Sequence, residues 1–138
     1  MRFYIFRNFK EWHENIVKLL NIFPSGFTYS TMLKRNMDGA EYWAVGLTQW
    51  KLSNWETKED FRNNLIYGMS NLQKIKKEYP EADILNEIFI GGWLDNGEYY
   101  VDISILVYSE DLAIKIGKEY KQKGIFHLQT HQYKDLTN

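Results

Sequence analysis

The sequence predicts an α+β fold with a mainly antiparallel sheet and three helices, in the order βαββαββαβ. Three observations predict it. Apolar residues recur at helical spacing in three segments that open on capping residues, runs rich in aromatic and β-branched residues lie between those segments, and turn-forming residues, foremost Asn96-Gly97, join the runs in pairs. The 138 residues are 44% hydrophobic and 25% charged with no Pro/Ser-rich linker, so one domain over residues 1–138 and one core are expected.

Residues 2–7, from Arg2 to Arg7, read as a short strand, after which Asn8 and Glu11 form a capping-box-like pair that opens a helix. Phe9, Trp12, Ile16, Leu19, Leu20 and Phe23 share one face of that helix, and Pro24-Ser25-Gly26 ends it. The runs Phe27 to Arg35 and Ala40 to Thr48 flank Asn36-Met37-Asp38-Gly39, which is turn chemistry, and predict a hairpin. Thr57 then caps the longest helix, whose stripe of Phe61, Leu65, Met69, Leu72, Ile75 and Tyr79 stops at Pro80. Ile84 to Leu94 and Tyr99 to Tyr108 form a second hairpin around Asn96-Gly97, the preferred two-residue loop. Ser109 caps the third helix, Glu110 and Asp111 suit its dipole, Gly124 closes it, and Ile125 to Leu128 is a final strand.

A two-residue turn at Asn96-Gly97 assigns faces to the second hairpin. Ile88, Ile90, Gly92 and Leu94 share an apolar face with Tyr99, Val101, Ile103 and Ile105, which should pack under the helices. Phe89, Gly91, Trp93, Tyr100, Asp102, Ser104 and Tyr108 fall on the other side. Gly91 stands opposite Asp102, so the carboxylate borders a gap without a side chain, between aromatic walls. Such a notch suits recognition, because Tyr and Trp offer rigid contact area and a lone acid orients a donor. Phe89, Trp93, Tyr100, Asp102 and Ser104 are the candidate binding residues; the same face also suits a second buried layer or an assembly of identical copies.

Composition excludes several classes. The chain holds no cysteine, which removes disulfides, thiolate metal sites and cysteine nucleophiles and fits a reducing cytoplasm. A net charge of −1, from 17 basic and 18 acidic side chains, gives no overall attraction to nucleic acid or anionic lipid. No apolar stretch reaches the roughly 20 residues of a membrane span, and no signal-peptide core opens the chain, so a cytoplasmic protein away from membranes is expected.

Other constellations carry less. His127 and His131, four apart, are the nearest approach to a metal pair, but no HExxH or second cluster accompanies them, and no metal or cofactor is expected. His13 lies off the apolar stripe of its helix. No GxSxG elbow and no phosphate-cradling glycine loop occurs, so no catalytic residue is assigned and the protein is read as a non-enzyme. The lysines at 74, 76, 77, 115, 118, 121 and 123 suit helix ends and solvent. Arg2, Arg7, Lys34, Arg35 and Arg62 lie among Tyr4, Phe6, Tyr29 and Tyr42, a mixture that suits a phosphorylated base or a protein interface.

Ile90-Gly-Gly-Trp-Leu-Asp95, Tyr100-Val-Asp-Ile-Ser104, then Ala113, Gly117, Gln122 and Ile125-Phe126 resemble a module of small phage and prophage proteins, over about a third of the chain. Where that module has Asn-Gln and then Ile-Phe-Asp-Leu, this chain has Lys121-Gln122 and His127. The resemblance implies a viral accessory protein in the host cytoplasm that works by binding. Such proteins, the Thoeris anti-defence proteins among them, block a host defence protein or sequester its nucleotide messenger. Blocking a defence protein is the leading expectation, with a messenger sponge, a small enzyme or a toxin-immunity binder as alternatives.

Overall fold

The computed structural model describes residues 9–23, 25–48, 50–51 and 57–137. The strand expected at residues 2–7 and its capping Asn8 lie outside them. The described helices are α1 (Phe9–Ile22), α2 (Lys58–Glu78) and α3 (Glu110–Glu119). The strands are β1 (Phe27–Ser30), β2 (Arg35–Asn36), β3 (Trp43–Gly46), β4 (Trp50–Lys51), β5 (Phe89–Asp95), β6 (Glu98–Val107), β7 (Gly124–His127) and β8 (Tyr133–Asp135). They form one antiparallel sheet ordered β2-β1-β5-β6-β3-β7-β8, with β4 also pairing with β6, and the fold is α+β as expected. No helix among the described residues is long and apolar enough to cross a membrane.

Local chemistry explains where the helices begin and end. Thr57 Oγ1 accepts from Asp60 N at 3.0 Å and Ser109 Oγ accepts from Leu112 N at 3.3 Å, so each cap satisfies a backbone donor that the helix leaves unpaired. Glu59 and Asp60 open α2 and Lys76 and Lys77 close it, matching the helix dipole. Helix α3 ends before the expected Gly124. Lys121 takes the left-handed conformation (φ 56°), Lys121 N donates to Lys118 O at 3.0 Å, and Gln122 N donates to Gly117 O at 2.9 Å. Those paired bonds are a Schellman motif with a lysine where glycine is usual, and they set the position of Gln122.

The hairpin of β5 and β6 has the expected register, Gly91 opposite Asp102, with Asn96 (φ 49°) and Gly97 (φ 77°) both left-handed as a type I′ turn requires. Its strand begins later than expected, at Phe89, and Ile84 makes only an isolated bridge to Val107. The first hairpin is a correction. β1 turns at residues 31–34 to pair with the short β2, with Lys34 at φ 55°, and on its other side pairs with β5. β3 lies between β6 and β7. Asn36 to Gly39 therefore leads from β2 into a loop, not from one long strand to its partner.

All three helices contribute to one core on one face of the sheet. Ile16 and Leu20 of α1, Phe61, Leu65, Leu72 and Ile75 of α2, and Ala113 and Ile116 of α3 are buried there. They meet Ile90 of β5 and Val101, Ile103, Ile105 and Val107 of β6, the side chains that strand alternation sends to that face. Phe23, expected on the α1 stripe, is 38% exposed beyond the helix end.

Candidate functional site

The opposite face of the same strands divides into a closed and an open part. Phe89, Leu106 and Leu128 are buried there in a second cluster, with Met37, Ala40, Tyr42, Ala44 and Leu85 packed against it. The loop through residues 37–42 is held down by Gly39 N donating to Leu128 O and Leu128 N to Tyr42 O, both 3.0 Å. Tyr42 Oη also donates to Asp83 at 3.0 Å. Beside this cluster the sheet is uncovered and lines a cavity of about 360 Å³.

Asp102 stands in this cavity on β6, flanked by a glycine on each neighbouring strand. A methyl at Gly91 of β5 would overlap Asp102 Oδ1, and one at Gly46 of β3 would lie 2.9 Å from Asp102 Oδ2. The side chain thus occupies space that any larger residue at either position would take. Ser104 Oγ donates to Asp102 Oδ1 at 3.0 Å, and both residues are buried, at 4% and 8% exposure. Burial pushes the Asp102 carboxyl up from 3.8 to about 7, although the bonds from Ser104 and from the backbone of Gly91 and Asp102 work to lower it. A carboxyl poised there accepts hydrogen bonds as a base and donates one as an acid within the physiological range.

The walls come from separate elements. Trp93 of β5 lines the cavity and stacks on Tyr100 of β6, ring centroids 5.6 Å apart and planes 16° from parallel. Phe126 of β7 and Tyr133 of β8 line the far side. Gln122 reaches over Gly46, where a methyl would stand 2.8 Å from its Oε1, while its Nε2 donates to Tyr120 O at 3.1 Å. Asp38 and Lys123 add one charge of each sign to the lining. Asp38 is also 2.8 Å from His131 Nε2, and the His131 ring stacks on Phe126, so the turn after β7 is tied to the loop before β3.

The five candidate binding residues thus divide. Trp93, Asp102 and Ser104 line the cavity, Tyr100 backs Trp93, and Phe89 is 1% exposed in the second cluster, outside the cavity lining. Gly46, Gln122 and Lys123 were not among the candidates. A glycine inside an aromatic strand run signals close approach and could have pointed to Gly46, whereas Gln122 and Lys123 depend on how α3 ends. His127 does not join His131 in a site. Its Nδ1 accepts from Gln129 N at 3.3 Å and Thr130 N at 3.1 Å, closing the turn, and no group of three metal-ligating side chains occurs among the described residues. Nor do the arginine and tyrosine candidates converge: Tyr29 is in the helix-side core and Tyr42 in the second cluster, while Arg2, Tyr4, Phe6 and Arg7 lie outside the described residues. The chain matches no protein-family model, no curated protein and no solved structure.

Proposed function

We propose that this protein is a non-catalytic binding protein that captures a small ligand in the cavity over Asp102. In the setting that the resemblance to phage modules implies, that capture withdraws a nucleotide-type messenger from a host defence system. The observation that carries the reading is a buried carboxylate set between Gly46 and Gly91, inside a cavity walled by Trp93 and Phe126. Concave, largely apolar sites with a few converging polar groups are how proteins hold small molecules. A flat recognition surface for a defence protein draws less support, because Phe89 and Asp102 are both buried.

A specific observation favours a second reading, a small enzyme. Ser104 Oγ lies 3.0 Å from an Asp102 carboxyl held at about 7, the geometry of a hydroxyl beside a base. The two readings part on turnover. Native mass spectrometry before and after incubation with the low-molecular-mass fraction of infected, defence-competent bacteria should show one adduct of nucleotide size that leaves unchanged on denaturation. Asp102→Asn, folded by circular dichroism, should lose it. Consumption of more than one molar equivalent of a compound assigns the enzyme reading instead, and the absence of any adduct on the unsubstituted protein overturns small-molecule capture.

A further inference from the structure

Beyond Asp102, the cavity holds a second acceptor whose placement restricts what the ligand presents. Gln122 Oε1 and Asp102 Oδ2 both stand over Gly46, at 2.8 Å and 2.9 Å from where a methyl would be. Neither an amide oxygen nor an ionised carboxylate oxygen carries a hydrogen. Gln122 is held in this orientation: its Nε2 donates to Tyr120 O at 3.1 Å, a bond lost if the amide turns over, and the Schellman bonds after α3 fix its backbone. Asp102 Oδ1 accepts from Ser104, and Oδ2 is the oxygen that borders the space over Gly46 together with Gln122 Oε1.

We propose that the ligand enters amino group first, with a planar nitrogen bearing at least two hydrogens that divides them between Asp102 Oδ2 and Gln122 Oε1. This rests on the reading of the cavity as a small-ligand site and names its ligand chemistry. Opposite the ionised carboxylate, a carbonyl in the same place would set a third acceptor beside two and pair with neither. An amino group on a π system supplies one hydrogen to each oxygen and keeps its plane for contact with Trp93 and Phe126. Among the described lining residues, Asp38 and Asp102 outnumber the one cation, Lys123. A neutral or cationic head group with at most one phosphate suits that balance better than a polyphosphate. An aminopurine or aminopyrimidine base and a guanidinium group both offer this nitrogen.

Raising the pH favours the carboxylate that the ligand needs. Below about 7 Asp102 is protonated and can itself donate to Gln122, competing with the ligand.

Isothermal titration at pH 8 with three pairs tests the inference: adenosine against inosine, cytidine against uridine, and agmatine against N-acetylputrescine, the second member of each lacking a planar nitrogen with two hydrogens. Each second member carries a carbonyl oxygen in place of an amino nitrogen. At least one amino member should bind about tenfold or more tighter than its partner, and Gln122→Leu should reduce that ratio to about threefold or less. Preference within a nucleoside pair assigns a nucleobase, and preference for agmatine assigns a guanidinium. Equal binding within every pair overturns the amino-first inference and leaves the cavity reading standing. If no probe binds while the protein still takes up an adduct from bacterial extract, the inference fails alone; if the adduct is missing too, both fail.

Discussion

The two faces of β6 carry different chemistry on one strand. Val101, Ile103, Ile105 and Val107 point under the helices and are all 0% exposed, whereas Asp102 and Ser104, one residue along, enter the cavity and Leu106 joins the small cluster with Phe89 and Leu128. The helix side is filled by side chains interlocking from three helices. On the cavity side, space exists because Gly46 and Gly91 contribute no side chain beside Asp102. Alternation along a strand therefore lets a small sheet place its stability on one side and a polar site on the other without adding an element.

The largest effects should separate the two faces and also divide the cavity side. Ile103→Ala empties a position that is 0% exposed and should destabilise by about 2–5 kcal/mol in urea unfolding. Phe89→Ala, on the cavity side but inside the second cluster, should cost about 3–5 kcal/mol by the same measurement. A loss below about 1 kcal/mol at Phe89 would mean that this cluster is loose and that the whole face is available as a surface.

The next effect belongs to Asp102 and depends on pH. Its folded value is raised, to about 7 from an ordinary 3.8, so the folded state holds a proton that the unfolded state has released between those values. Stability from this group is full below about 3.8 and is lost as the pH rises through about 7, by up to about 4 kcal/mol. Asp102→Asn, which cannot ionise, should flatten that decline and be closer to the unsubstituted protein at pH 4 than at pH 8. Urea midpoints across the range measure it; a decline that survives in Asp102→Asn belongs to other groups.

Much of the fold was legible in local signals, and what was missed lies in long-range pairing. Asn96-Gly97 sets the β5–β6 register, and with it which of residues 88–108 face the helices, because a two-residue turn leaves one register. Thr57 and Ser109 mark helix starts for the same local reason. The partner of β1 was not legible. Asn36 to Gly39 has the better turn composition, yet the chain reverses at Thr31-Met32-Leu33-Lys34, and the opposite edge of β1 finds β5 about 60 residues later. Asp102 and its gap at Gly91 could be read because both lie in one hairpin. Gly46 and Gln122, which complete the site, reach it only through the placement of β3 and the end of α3.

The smallest change in stability should accompany a large change in binding, at Trp93. This residue is half-buried at the cavity wall and stacks on Tyr100, itself half-buried, so Trp93→Ala should destabilise by about 1 kcal/mol, well below Phe89→Ala four residues away on the same face. Removing the indole takes one wall from the cavity while Asp102 keeps Ser104, so affinity for whichever probe binds should fall by about tenfold or more as the pH dependence of stability persists. Urea unfolding and titration of one preparation give both numbers. A loss of stability matching that of Phe89→Ala would make Trp93 a packing residue and join the open part of this face to the closed one, whereas unchanged affinity would move the ligand toward Phe126 and Tyr133 on the other wall.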